Sequence, residues 1–184
     1  MVDITCLSTT PKNNEVKVGE SGEISIILYI ISLHMKFTGT ASAKLDAKGR
    51  VFFPATFRKL LAEDEVEFIL RRDVYQPCLV VYPMAVWENE VETLRKRLNL
   101  WNPQQAMVFR QFMADAESIS LDASGRFLLP KRMLQIANIA SEVVFVGVDD
   151  RIEVWSKEKM EQPFLSPEEF GKSLQNLMTP DRNL

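Results

Sequence analysis

Apolar residues along this chain fall into two kinds of run. Val66–Leu70, Cys78–Tyr82, Val143–Gly147 and Arg151–Trp155 are short and rich in β-branched or aromatic residues, which predicts strands. Elsewhere the spacing is helical. Trp87, Val91, Leu94 and Leu98 recur at intervals of four, three and four residues within a segment rich in Glu, Arg and Lys, so one stripe of that helix faces a core or an interface. Asn102-Pro103 reads as an N-cap followed by proline at the first helical position, opening a helix to about Met113. Ser166-Pro167-Glu168-Glu169 has the pattern of a capping box, and Phe170, Leu174 and Leu177 supply the apolar face of the helix it starts. Thr179 to Leu184 has no such periodicity and is expected to fray.

The pattern is duplicated. Leu45-Asp46-Ala47-Lys48-Gly49-Arg50-Val51-Phe52-Phe53-Pro54 realigns with Leu121-Asp122-Ala123-Ser124-Gly125-Arg126-Phe127-Leu128-Leu129-Pro130 at an offset of 76, with six of ten positions identical. The exchanges Val51/Phe127, Phe52/Leu128 and Phe53/Leu129 are apolar for apolar, whereas Lys48/Ser124 changes charge. Each copy continues into a short helix-like run and then strand-like runs, so the chain carries two copies of one unit joined by the 103–113 helix.

Charge is distributed unevenly. The net formal charge is -3, yet Lys36 to Lys59 holds six basic residues against Asp46 alone, a local balance of +5. From Glu142 to Leu184, nine acidic and five basic residues give -4. A nucleic-acid partner would therefore meet the first repeat. Cys6 and Cys78 form no ligand-spaced cluster, and His34 is the only histidine. No metal site, cofactor, Gly-rich phosphate loop or nucleophile–base pair is expected, so the chain does not read as an enzyme. Ile24 to Leu33, at ten residues, is short of the roughly 20 needed to span a bilayer and lacks the flanks of a signal peptide; a cytoplasmic protein is expected. Two readings of the first 34 residues stand side by side: an over-extended frame ahead of a natural start at Met35, or an additional β-strand.

Within each repeat, the Ala-Lys-Gly or Ala-Ser-Gly trio between Leu-Asp and Arg-apolar residues predicts a tight hairpin whose glycine, Gly49 or Gly125, takes positive φ. Asp46 and Asp122 can accept hydrogen bonds from turn amides or pair with Arg50 and Arg126. A turn motif is all this need be, and for the second copy that plain reading is preferred, with Arg126 either structural or a secondary DNA contact. In the first copy Lys48 at the tip, Arg50 beside it and Lys44 two positions before Asp46 present a compact basic projection suited to phosphates or a groove. Arg50 is the better candidate for base specificity, because a guanidinium can pair bidentately with a guanine edge. Trp87, Trp101 and Trp155 read as core or interface aromatics, Arg95-Lys96-Arg97 as a solvated face and Arg71-Arg72-Asp73 as a loop between strands.

These markers together resemble the MraZ family: Met35-Lys36-Phe37-x-Gly39, the Leu45–Arg50 motif, Cys78-Leu79-Val80-Val81-Tyr82-Pro83 with Trp87, Asn102-Pro103 and the Leu121–Arg126 motif. The resemblance covers about Met35 to Trp155. It implies an α+β fold of the AbrB-like swapped-hairpin type, with two tandem units forming an intrachain pseudo-dimeric barrel flanked by peripheral helices. The division expected is an N-terminal extension over 1–34, a first repeat with its following helix over 35–100, a linking helix over 101–112, a second repeat over 113–165, and a C-terminal helix and tail over 166–184. It further implies a nucleoid-associated transcriptional regulator that assembles into a homo-oligomeric ring and binds promoter direct repeats upstream of the division and cell-wall gene cluster. Lys48 and Arg50 would meet the double-stranded DNA while Asp46 and Gly49 shape the turn. Met113-Ala114-Asp115-Ala116 stands where the family commonly has Ser-Gly-Ala, and a basic residue common after Asn102-Pro103 is missing. A protein-interaction or antitoxin-type module, suggested by the acidic C-terminal part, is the alternative.

Overall fold

The four predicted strands form, each displaced by no more than two residues at an end, in a computed structural model that describes residues 37–61, 65–161 and 164–179. The first repeat contributes β1 (Phe37–Lys44), β2 (Arg50–Phe52), α1 (Ala55–Arg58), β3 (Glu67–Arg72), β4 (Leu79–Pro83) and α2 (Met84–Arg97). Helix α3 (Pro103–Ala114) leads to β5 (Ala116–Ser120), β6 (Arg126–Leu128), α4 (Lys131–Ile136), β7 (Glu142–Asp149), β8 (Arg151–Ser156), α5 (Lys157–Met160) and α6 (Pro167–Met178). The expectations for the first 34 residues, the start at Met35 and the last five residues lie outside the described residues.

All pairings are antiparallel, and they cross between the repeats. β1 pairs along its whole length with β7, and β5 with β3, so the first strand of each repeat is held by the third strand of the other. The β3–β4 and β7–β8 hairpins meet through β4 and β8, giving the six-stranded order β1-β7-β8-β4-β3-β5. β2 and β6 form a separate two-stranded ribbon in which Arg50 faces Leu128, Val51 faces Phe127 and Phe52 faces Arg126.

The fold is therefore α+β with an antiparallel sheet, but no barrel is closed by strand pairing among the described residues. β1 and β5 are the two edges of the sheet. The ribbon strands are only three residues long and spend their outermost bonds on each other's turns, Phe53 N–H on the Gly125 carbonyl at 2.9 Å and Leu129 N–H on the Gly49 carbonyl at 3.0 Å.

Burial follows the alternation of strands. On the ribbon, Val51 and Phe127 turn inward and are buried, while Phe52 and Leu128 are 58% and 52% exposed. Beneath the ribbon, Phe53 stacks on Phe68 at 5.4 Å and meets Phe127 edge-on at 6.2 Å, and Phe127 meets Phe145 at the same distance. Offset and edge-to-face arrangements of this kind suit the ring quadrupoles. Gly147 permits the close approach of β1: a Cβ there would stand 2.5 Å from the Phe37 carbonyl carbon and the Thr38 nitrogen.

The opposite face of the sheet carries a second, smaller core of Ile69, Val80, Tyr82, Val86 and Trp87. Trp87 lies parallel to Phe112 of α3 at 5.3 Å, so the stripe of α2 reaches the linking helix. Asn102 caps α3 by accepting from the backbone N–H groups of Gln104 and Gln105, and Ser166 with Glu169 completes the capping box of α6.

Two expectations need correction. Arg71 and Arg72 are not loop residues: β4 pairs as far as Arg72, and Arg71 is buried with its guanidinium 4.0 Å from the centre of the Phe112 ring. Arg72 bonds Asp115 at 2.7 Å. Of the two places expected for Trp101, a core or an interface, the core is ruled out, since it is 97% exposed in the turn before α3, whereas Trp87 and Trp155 are buried.

The two faces of the ribbon should respond oppositely to truncation. Phe127→Ala should cost about 3–5 kcal/mol through lost contacts and a residual cavity, and Phe52→Ala no more than about 0.5 kcal/mol. Urea unfolding of both variants checks this; a larger cost for Phe52→Ala than for Phe127→Ala would mean that the ribbon is turned over.

Candidate nucleic-acid interface

Both Leu-Asp-Ala-x-Gly-Arg segments fold into the same turn, built on the aspartate. In the first, Asp46 N–H donates to the Arg50 carbonyl at 2.8 Å and Gly49 N–H to the Asp46 carbonyl at 2.9 Å. Asp46 Oδ1 accepts from the backbone N–H of Lys48 and of Arg50, each at 2.9 Å. Its other oxygen takes Arg50 Nε at 2.8 Å and pairs with Nη2 at 2.7 Å. Gly49 has φ +82°, the left-handed region that costs a side-chain-bearing residue.

The second turn repeats this set. Asp122 Oδ1 accepts from the backbone N–H of Ser124 and Arg126, Oδ2 from Arg126 Nε at 3.1 Å, and Gly125 has φ +76°. Neither segment is a hairpin of two paired strands, as the spacing suggested. Only one backbone rung closes each turn, after which β1 leaves for β7 and β2 for β6. The aspartate supplies the acceptors that a continued ladder would have provided.

Electrostatically, each aspartate is held in its charged form. Asp46 is lowered from 3.8 to about 2, first by the backbone N–H of Arg50, then by the Arg50 side chain and the Lys48 N–H, against a partial desolvation that works the other way. Asp122 is lowered for the same leading reason, the backbone N–H of Arg126.

On the outer face of the ribbon, the two turns converge. Arg126 Nη1 comes to 4.0 Å from Asp46 Oδ2, and its guanidinium lies 5.6 Å from the centre of the Phe52 ring. The face thus presents Arg50 and Arg126 around two exposed apolar side chains, Phe52 and Leu128. Lys48 is exposed at the tip of the first turn. Lys44 is brought elsewhere: at the end of β1 it faces Glu142 across the β7 register and pairs with it at 3.0 Å, sharing that carboxylate with Lys157 at 2.6 Å.

Sequence reasoning passed over Arg58, which the structure sets against Gly125, and over the outward pair Phe52 and Leu128. The pair was legible from alternation on either side of Val51 and Phe127. Arg58 was not, because its neighbour lies in the other repeat. Of the remaining chemistry, Cys78 is buried, and burial pushes its thiol well above the usual range, with the Glu153 and Asp73 carboxylates adding to the effect. No cluster of His, Cys, Asp and Glu suited to a metal occurs among the described residues, and no helix there is long and apolar enough to cross a membrane.

A family model described as "MraZ protein, putative antitoxin-like" matches residues 36–111 and again 112–173, so each match contains one Asp-x-x-Gly-Arg turn. The chain belongs to the MraZ family. A transcriptional regulator MraZ from Bacteroides thetaiotaomicron is 51% identical over 148 residues, covering 80% of this chain and 95% of its own. Its namesake from Phocaeicola vulgatus is 52% identical over 151 residues, 82% of this chain and 98% of its own. The MraZ of Clostridium tetani is 39% identical over 126 residues, 68% of this chain and 85% of its own.

Because Asp46 is depressed on folding, its contribution to the turn is complete above its ordinary value and is lost only as pH falls through about 2. An NMR titration of its side-chain carboxyl should have a midpoint near 2 rather than at 3.8. A midpoint at the ordinary value would contradict the hydrogen-bond set described for the turn.

Proposed function

We propose that the chain is a DNA-binding transcriptional regulator that meets double-stranded DNA with the outer face of the β2–β6 ribbon, led by the first turn. The observation that carries this is the joint exposure of Lys48 and the fixing of Arg50 at one compact projection. Asp46 engages Nε and Nη2 of Arg50 and so orients the guanidinium before any ligand arrives, leaving the Nη1 donors for a guanine edge or a phosphate. Exposed Phe52 and Leu128 beside it suit thymine methyl groups, the apolar feature of the major groove. In this reading Lys48 contacts phosphate, Lys44 adds positive charge at the rim, Asp46, Gly49, Asp122 and Gly125 shape the turns, and Arg126 has a secondary or structural role. The curated relatives carry the name transcriptional regulator, which agrees with it.

Affinity in this reading comes from repetition. One ribbon makes a modest contact, and a homo-oligomeric ring holding several reads promoter direct repeats together, upstream of the division and cell-wall gene cluster, with the protein cytoplasmic and nucleoid-associated. The intrachain strand exchange is taken as the swapped-hairpin, pseudo-dimeric arrangement, with repeats over 35–100 and 113–165, the linking helix over 101–112 and the C-terminal helix and tail over 166–184.

A second reading rests on α6. Its face of Phe170, Leu174 and Leu177 is 57%, 47% and 83% exposed, a surface that would suit a protein partner of an antitoxin-like module.

Mobility-shift titrations on DNA from upstream of the chain's own gene, with its direct repeats intact or scrambled, separate the two. Arg50→Ala should weaken binding by about 1–3 kcal/mol per contact and relax sequence preference while the chain still folds. Lys48→Ala should weaken intact and scrambled DNA alike. Unaltered affinity in a folded Arg50→Ala chain would remove the assignment. Absence of any DNA shift, with a partner lost on Leu174→Asp, would favour the second reading.

A further inference from the structure

The offset of 76 makes the two turns comparable residue by residue. Lys48 of the first corresponds to Ser124 of the second, so the second turn has lost the cation at its tip. At the same offset Arg58, the last residue of α1, corresponds to Leu134 in α4. The strand exchange sets each of these residues against the turn of the other repeat. Leu134 Cδ1 stands 3.7 Å from a Cβ built on Gly49, while at Gly125 such a Cβ would collide with Arg58 Nη1. The first turn thus has a lysine of its own and a leucine from across the repeat; the second has a serine of its own and an arginine from across.

Charge at the two ends of the ribbon is thereby equalised. Asp46 neutralises Arg50 and Asp122 neutralises Arg126, which leaves Lys48 as the surplus cation at one turn and Arg58 at the other. Both are exposed, and among the described residues neither has an ion-pair partner. We infer that the second turn is itself a phosphate-binding site whose cation, Arg58, is supplied by the other repeat. This rests on the proposed DNA-binding function and extends it to the end of the ribbon that its own residues leave uncharged. The spacing fits a single groove: the Gly49 carbonyl bonds Leu129 and the Gly125 carbonyl bonds Phe53, so the turns are four residues apart along the ribbon. At about 3.4 Å per residue this is about 14 Å, close to the major-groove width of about 12 Å. Lys48 and Arg58 can then hold phosphates on its two sides with Arg50 and Arg126 between them.

The test uses the full-length chain and a duplex from immediately upstream of its own gene, with affinity followed over a salt series and folding checked by melting. Lys48→Gln and Arg58→Gln should each flatten the dependence of log K on log salt by about 0.9 for every protomer in contact. Adding Ser124→Lys to Arg58→Gln, which gives the second turn the charge plan of the first, should restore the wild-type slope. A wild-type slope in Arg58→Gln beside a flattened one in Lys48→Gln overturns the inference and leaves the proposed function standing. A flattened slope that Ser124→Lys does not restore also overturns it, because Arg58 would then act other than as a charge at that turn. A wild-type chain with no salt-dependent binding to this duplex removes the proposed function itself.

Discussion

Neither repeat can complete the hydrogen bonding of its own first strand. After the single rung that closes the turn at Asp46, β1 and β2 separate, and the backbone groups of β1 must find partners elsewhere; they find them on β7, eight residues in register. β5 makes the reciprocal move onto β3. Each non-proline residue carries a backbone donor and acceptor that seek partners, and by pairing those of β1 and β5 on the other repeat this exchange ties the repeats into one unit. It also brings β2 and β6 side by side, because both lie one turn beyond the exchanged strands. The ribbon, its inward Val51 and Phe127, and the outward pair of arginines all follow from it.

The same exchange explains what could and could not be seen in the sequence. Short runs of β-branched and aromatic residues located β3, β4, β7 and β8 to within two residues, and Asn102, Ser166 and Glu169 located the helix starts because capping is a local interaction. The repeat was legible because it is written in identical residues. Which strand pairs with which was not, since β1 and β7 share no local signal and are joined only through the fold. Arg71 shows the same limit: two arginines before an aspartate read as loop, yet β4 pairs through Arg72 and the Phe112 ring covers the Arg71 guanidinium. Trp101 looked apolar enough for a core, but the turn before α3 holds it outside.

At the candidate site, the residues of the turn were legible while their neighbours were not. The positive φ of Gly49 and the bonds of Asp46 to Lys48 and Arg50 are interactions within five residues. Lys44, grouped with the turn by proximity in sequence, is drawn to Glu142 by the register of β1 on β7. Arg58 lies eight residues beyond Arg50, the counterpart of Arg126 in its own repeat, and reaches the second turn only because the repeats exchange strands.

This division has a consequence for the motif. An aspartate that accepts two backbone amides and an arginine side chain builds a rigid turn whose own charges cancel, and such a turn serves equally well as plain architecture or as a platform. Its chemistry is therefore set by the residues around it: a lysine inserted at the tip, a leucine or an arginine laid over the glycine. Two turns with the same backbone bonds and the same Asp–Arg pair can carry the same surplus charge by different routes. A comparison confined to the ten aligned residues would call one turn basic and the other neutral, and the difference disappears once the residue from the opposite repeat is counted with each.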